Sequence, residues 1–401
     1  MNPNSDQSLY EQLGVDPSKI TVRKIFEKII DNEYPGAFVN IVTDPFCETR
    51  ALTMHQDGDG SKFIQRLLHY YESGNPEVFA GMVDDALAMN TGDIAASGFV
   101  FGPWIITDVL NVALPKEVKN IVMKAVAARL TELKRLYELY GFNIKFLGGE
   151  TADLPDQVRS GVFDIGITAW ADKDDLIKGN VMAGDVIYGV VSDGRAVWET
   201  TDNSGIMSNG LTLARSSLMS AEYNSKYSAL RRDNDKFYSG SFRYNEFSVI
   251  LGPDLSVGEA IISPTRQWPV VISEIISCLK AHNALHMLHG ITMNTGGGAT
   301  KIINLGKGGI LFEKFMPTPP PIFRLIQSET KEDWGNMYQS FNCGIGIDIV
   351  GENNPVFNEV LQYATQICNL KTYKLGLCRA LADSAAPNKV SLSTPYGSWT
   401  Y

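Results

Sequence analysis

The residues best able to do chemistry in this chain are carboxylates set among glycines. DGDGSK, residues 57–62, packs two aspartates, two glycines and a lysine into six positions after an expected strand. Carboxylate oxygens are hard ligands for Mg²⁺, and an ammonium suits a phosphate. Asp-Gly is also a common turn dipeptide, and taken alone a solvated hairpin turn is the simpler reading. GGETADLPD, residues 148–156, adds Glu150 and Asp153 directly after an expected strand. Loops in that position often hold ligands in α/β architectures, although a polar surface turn explains it slightly better in isolation. MVDDALAMNTGDIAASG, residues 82–98, sets Asp85 and Asp93 eight residues apart. Eight residues is about two helical turns, so both can point to one side; N-capping by Asp93 is the alternative. HGITMNTGGGATKI, residues 289–302, holds three consecutive glycines. Their N–H groups can approach an oxyanion, and a following helix would add its dipole. A tight turn open only to glycine accounts for the run equally well. The run matches neither G-x-x-x-x-G-K-[ST] nor G-x-G-x-x-G after a strand, because a helix is expected before it.

His282, His286 and His289 fall at i, i+4 and i+7, the spacing of zinc ligands on one helix face. Ile272, Ile275 and Leu279 continue the same stripe, so the imidazoles are read as bordering a core or interface. The five cysteines form no C-x-x-C pair and read as reduced thiols of a cytoplasmic protein. No Ser-His-Asp or Cys-His order stands out.

The elements that must position these residues follow from length and pattern. A chain of 401 residues suggests two or three domains. Its net charge of -10 and lack of any basic block longer than a pair such as Arg231 and Arg232 argue against nucleic acid or an anionic membrane as partner. The uncharged run 281–300 is too polar to span a bilayer, and the apolar run 93–108 is too short. Helices are expected over 21–31, 63–71, 80–90, 120–140, 211–218, 267–288 and 322–327. Strands are expected over 38–42, 51–54, 143–147, 163–170, 185–191 and 342–350. The pattern turns polar near 171–185, which sets a domain boundary there. Residues 220–262 read as an insertion or long lid.

No single cluster decides the function; their order does. DGDGSK (57–62), DALAMNTGD (85–93), GGETADLP (148–155), GIMSNG (205–210), PTR (264–266), TGGG (295–298) and MYQSFNCGIGI (337–347) follow one another along nearly the whole chain. In this order they resemble aminoimidazole ribonucleotide synthetase, also called phosphoribosylformylglycinamidine cyclo-ligase. The superfamily also holds thiamine-monophosphate kinase and selenophosphate synthetase. The resemblance implies an α+β fold with two domains. Residues 1–172 would form an ATP-binding domain whose sheet pairs into a β-barrel across a homodimer. Residues 173–401 would form a mixed α/β sandwich carrying the insertion. It implies a cytoplasmic enzyme that converts formylglycinamidine ribonucleotide and ATP to aminoimidazole ribonucleotide, ADP and phosphate. ATP would phosphorylate the formyl oxygen, and the neighbouring nitrogen would close the ring.

By the same resemblance Asp57, Asp93 and Glu150 would hold Mg²⁺–ATP, with Asp85 supporting them and Lys62 on a phosphate; Asp57, Lys62 and Asp93 would be catalytic. Gly148, Gly149, Thr151, Ser208, Asn209, Gly296, Gly297 and Gly298 would cradle the nucleotide substrate. Such chemistry asks for positioning and charge neutralisation more than for a covalent nucleophile. Three positions depart from the family pattern. Met207 and Met293 stand where histidines are usual, and Gly92 stands where asparagine is usual before Asp93. A thioether exchanges no proton. Those departures keep two other readings open: another ATP-dependent phosphoryl transferase of the superfamily, or a non-catalytic nucleotide-binding homologue.

Overall fold

A computed structural model describes residues 8–15, 25, 26, 28–230 and 237–401. Of the helix predicted over 21–31, residues 21–24 and 27 lie outside the described residues, and 28–31 are turn and coil. Two sheets organise the rest. The first comprises β1 (Val42–Asp44), β2 (Cys47–Gly58), β3 (Pro103–Val112), β4 (Asn143–Asp153) and β5 (Gly161–Asp172), in the order β1-β2-β5-β3-β4. β2 and β3 flank β5 in antiparallel pairing, while β3 and β4 run parallel. A parallel pair needs a crossover. Here it is α4 (Lys116–Leu139), a short α1 (Leu9–Gln12) and the helices α2 (Lys62–Ser73) and α3 (Ala80–Ala95) coming before it. Helix α4 buries Val122, Val126, Leu133 and Tyr137, one stripe at helical spacing.

β5 shows why the sheet has an inside and an outside. Phe163, Ile165, Ile167 and Ala169 are buried beneath the helices, while the intervening residues face away. The outward face is left open, with Met54 74% and Val162 40% exposed; at the β4 edge Leu147 is 69% exposed. Neither sheet closes into a barrel among the described residues.

The second sheet runs β14-β13-β10-β12-β6-β11-β9. Its members are β6 (Val186–Val191), β9 (Leu288–Met293), β10 (Ile310–Phe315), β11 (Ile345–Gly351), β12 (Thr372–Ala380), β13 (Lys389–Thr394) and β14 (Gly397–Thr400); β7 (Asp193–Gly194) and β8 (Asn203–Ser204) form a separate ribbon. β9 and β11 are buried along their whole length, as strands covered on both faces must be. The helices of this half are α5 (Leu211–Leu218), α6 (Tyr223–Lys226), α7 (Val257–Ile262), α8 (Trp268–Ala281), α9 (Pro321–Thr330), α10 (Trp334–Ser340) and α11 (Pro355–Ile367).

Helix α3 joins the two halves. It touches β2 and β5 on one side and α8 and β9 on the other. Every residue from Gly81 to Ala95 is buried, which its small and apolar composition permits.

Several predicted elements change. Residues 148–153 are not a loop but the second half of β4, paired with β3. Gly149 allows that pairing, since a Cβ there would lie 2.1 Å from the Asp108 carbonyl oxygen. The helix predicted over 267–288 stops at Ala281, and β9 begins at Leu288, so a strand and not a helix precedes the glycine run. β3 occupies part of the apolar run 93–108 and extends beyond it. Residues 220–262, apart from 231–236 outside the described set, are not an open lid. Tyr223, Tyr238, Val257, Ala260 and Ile261 are buried, and α7 packs on α2 and α5. Among the described residues no helix is long and apolar enough to cross a membrane.

Candidate active site

Asp85 sits at the meeting point of the two halves and is fully buried. Its Oδ1 accepts hydrogen bonds from Lys62 Nζ (2.8 Å), Ser208 Oγ (3.1 Å), Thr265 N (2.7 Å) and Thr265 Oγ1 (2.7 Å); its Oδ2 accepts from Arg66 Nη2 (2.7 Å). Burial alone would raise the Asp85 pKa, but the Lys62 and Arg66 cations outweigh it and hold the carboxyl below its usual range. Lys62 also donates to the Ser263 carbonyl (2.6 Å) and Arg66 to the Ile262 carbonyl (3.0 Å), so both cations cap the end of α7. The segment after α7 continues the clasp. Arg266 grips both oxygens of Glu199 at 2.9 Å, and Gln267 donates to Asp84.

The sequence treats Asp85 and Asp93 as a pair on one helix side. Eight residues at 100° each leave them about 80° apart around the axis. Asp85 therefore faces the second half, whereas Asp93 faces β2. There Asn90 Nδ2 donates to the Ile165 carbonyl, which turns Asn90 Oδ1 toward His55 Nδ1 at 2.9 Å. His55 Nε2 lies 3.5 Å from Asp93 Oδ2. Asp57, two residues along β2 from His55, pairs in register with Ile165 and so stands on this same inner face. Asp164 is pushed upward by burial and then by the charge of Asp57; Asp108 is raised by burial. This end of the sheet is rich in carboxylate.

The other predicted ligands are placed elsewhere. Lys62 is fully buried and held by Asp85, so in this structure it does not face a phosphate site. Burial also lowers its pKa, against the pull of Asp85. Asp85 has no exposed surface for a nucleotide. Glu150 lies on the edge strand β4, with β5 and β3 between it and β2, and pairs with Val109, whose partner is Asp164. It is therefore on the opposite face from Asp57, and their strands are roughly 14 Å apart. Gly148, Gly149 and Thr151 go with it. Among the described residues no three His, Cys, Asp or Glu side chains gather into a metal cage. Mg²⁺ asks less, since one or two carboxylates plus substrate phosphates suffice. Asp57 and Asp93 fit that donor set; Glu150 of the same chain does not join it.

The second half gathers its predicted residues more closely. Ser208 Oγ reaches Asp85, and Asn209 Nδ2 donates to the Ser340 carbonyl (2.6 Å). Gly298 backs onto the same segment, where a Cβ would lie 2.5 Å from the carbonyl oxygens of Tyr338 and Phe341. Gly297 has φ 98°, a left-handed value suited to glycine, and Gly296 opens onto empty space. Close packing thus explains Gly298, while Gly296 and Gly297 leave backbone open to a ligand. Asn342, within the last motif, donates to Ser192 Oγ (2.8 Å) and the Gly205 carbonyl (3.0 Å), fastening the 205–210 loop. Met207 and Met293 are both buried.

Sequence reasoning missed His55, Arg66, Thr265 and Asp59. Thr265 and Asp59 lie inside quoted motifs; His55 and Arg66 flank one, four residues apart from Lys62 in the case of Arg66, on its helix face. Asp59 is fully buried with no partner for either oxygen, and burial, reinforced by Asp85, pushes it well above the carboxylate range. The three-histidine stripe does not form. His282 and His286 are exposed after α8, and His289 is buried against Asp185 Oδ2 at 2.8 Å. A cleft of about 280 Å³ opens on the Asp84 side of α3. Its Arg129 and Arg266 are already paired with Asp84 and Glu199, which leaves it poorly suited to an anion.

No family model matches the chain. A protein of Methanosarcina barkeri (strain Fusaro) named phosphoribosylformylglycinamidine cyclo-ligase is 30% identical over 305 residues, covering 75% of this chain and 73% of its own. One of the same name from Methanobrevibacter smithii is 25% identical over 406 residues, 97% of this chain and 98% of its own. Among solved structures, PurL of T. maritima complexed with FGAR superposes with a TM-score of 0.55 at 10% identity, over 98% of this chain and 52% of PurL. Its complex with AMPPCP gives 0.51 at 10% identity, over 97% and 49%. At that identity the likeness concerns the fold. The identity to the Methanosarcina protein, over most of both chains, establishes that this chain belongs to the phosphoribosylformylglycinamidine cyclo-ligase family.

Proposed function

We propose that the chain is an ATP-dependent cyclo-ligase that closes the imidazole ring of aminoimidazole ribonucleotide from formylglycinamidine ribonucleotide in purine biosynthesis. The observation that carries this reading is the end-to-end match to a protein of that name, 97% of this chain against 98% of the relative. ATP binding is supported by PurL, which shares the fold and was solved with AMPPCP. We assign ATP and its Mg²⁺ to the carboxylate-rich end of β2 and α3, with Asp57 and Asp93 as the metal ligands. Mg²⁺ bound there would neutralise phosphate charge. His55 lies 3.5 Å from Asp93, and Asp57 is placed by its register in β2.

The substrate phosphate is assigned to Gly296 and Gly297, with Ser208 and Asn209 beside them. Lys62 and Asp85 serve as the clasp that seats a domain of residues 173–401 on a domain of residues 1–172. The open face of the first sheet, with Met54 and Val162 exposed, supports a homodimer in which a second copy covers it. Glu150 lies on that face, so any part it takes in holding the nucleotide requires the second copy.

Incubation of purified protein with formylglycinamidine ribonucleotide, ATP and Mg²⁺ tests the reading. Stoichiometric ADP and aminoimidazole ribonucleotide are expected. A folded protein that forms neither would refute it.

A further inference from the structure

Met293 ends β9, three residues before the glycine run, and its side chain is entirely buried. It does not point along its own sheet. Its thioether crosses to α3 and lies over Gly92: a Cβ added at residue 92 would stand 2.6 Å from Met293 Cε and 2.8 Å from Sδ. Gly92 lies seven residues after Asp85, which returns it to the same face of α3. It also immediately precedes Asp93. Glycine is a poor helix former and weakens a helix interior, yet here it sits inside a 16-residue helix buried nearly throughout. The notch it leaves is filled by a side chain from the other half of the molecule.

We propose that Met293 is a positioning residue, a knob seated in the Gly92 notch that fixes the Asp93 turn of α3 against the glycine-run strand. The nucleotide side and the substrate side of the site are then held at one spacing. The functional part of this inference rests on the cyclo-ligase reading; the seat itself does not. Methionine suits the task, being long, unbranched and able to fill an irregular gap. His55 Nε2 lies 3.5 Å from Asp93 on its other side, so a displaced Met293 would leave that turn of α3 without its support from β9.

The seat predicts a reversal of sign. In an otherwise wild-type chain, Gly92→Ala forces a Cβ into the thioether and lowers Tm, by about 2 °C or more. In a Met293→Ala background the notch is empty, the clash is gone and only the better helix propensity of alanine remains. There Gly92→Ala raises Tm by about 2 °C. If Met293→Ala does not fold, Met293→Val serves as the background, since it shortens the side chain and suits a strand. Calorimetry with ADP and Mg²⁺ supplies the functional readout. Gly92→Ala should weaken binding about tenfold in the wild-type chain, and the change at residue 293 should recover most of that loss. An unchanged sign in both backgrounds overturns the seat. Reversal of Tm with unchanged ADP affinity overturns the positioning role. Absence of ADP binding by the wild-type protein overturns the cyclo-ligase reading and the positioning role with it, while the Tm reversal would still identify the seat.

Discussion

Asp85 and Asp93 stand on the same helix, about 12 Å apart along its axis, and live in different worlds. Asp85 is sealed among five donors from both halves of the molecule, two of them on cations. Asp93 is buried too, but with an imidazole nitrogen 3.5 Å away and, in place of two cations, a carboxylate-rich strand end. A carboxylate fully buried and committed to five donors can fasten a fold but has no exposed surface for a metal. One at the carboxylate-rich end of the sheet can do the reverse. The difference comes from what faces each side of α3, and it separates a residue that builds the site from one proposed to work in it.

The sharpest way to break this contrast is to neutralise Asp85. Asp85→Asn leaves Lys62 and Arg66 buried without their counter-charge, and loss of one partner of a buried pair costs about 3–5 kcal/mol. Chemical denaturation should show that loss, or the variant should fail to fold. A change below about 1 kcal/mol would deny the clasp. Thr265→Val keeps the shape and removes one 2.7 Å hydrogen bond to Asp85; about 1–2 kcal/mol is expected by the same measurement.

His69 sharpens the picture of the same buried face of α2. Burial and then the Arg66 charge depress its pKa to about 3 from 6.5. Between those values the unfolded chain binds a proton that the folded chain refuses. Stability therefore falls as pH drops below 6.5, by at most about 1.4 kcal/mol per pH unit. His69→Gln should flatten that slope, read from denaturation midpoints at pH 7 and pH 5; an unaltered slope would place the titration elsewhere.

Much of the fold was legible where the pattern was long and one-sided. The apolar stripe of α4 and the run of β11 declare themselves because each faces a single kind of environment. The second half of β4 did not, since GGETAD carries the composition of a turn. Only its parallel pairing with β3, a contact distant in sequence, makes it a strand. The motifs marked the right neighbourhood but not the partition within it. The resemblance puts Lys62 on a phosphate and Asp85 in support of the Mg²⁺–ATP ligands. The buried pair they form depends on the clasp from Ser263 and Thr265, about 200 residues away in sequence. The resemblance groups Glu150 with Asp57 and Asp93, whereas the bulge and register of β3 and β4 put it on the other face from Asp57. Met293 read as a lost imidazole; its buried place over Gly92 gives it a steric reason that no local pattern contains.

The division of labour along α3 is tested most directly by Asp93→Asn, measured for both stability and turnover. The unfolding free energy should change by no more than about 0.5 kcal/mol. Mg²⁺- and ATP-dependent ring closure should fall roughly hundredfold or more. A variant that keeps wild-type turnover, or one that unfolds as Asp85→Asn is expected to, would contradict it.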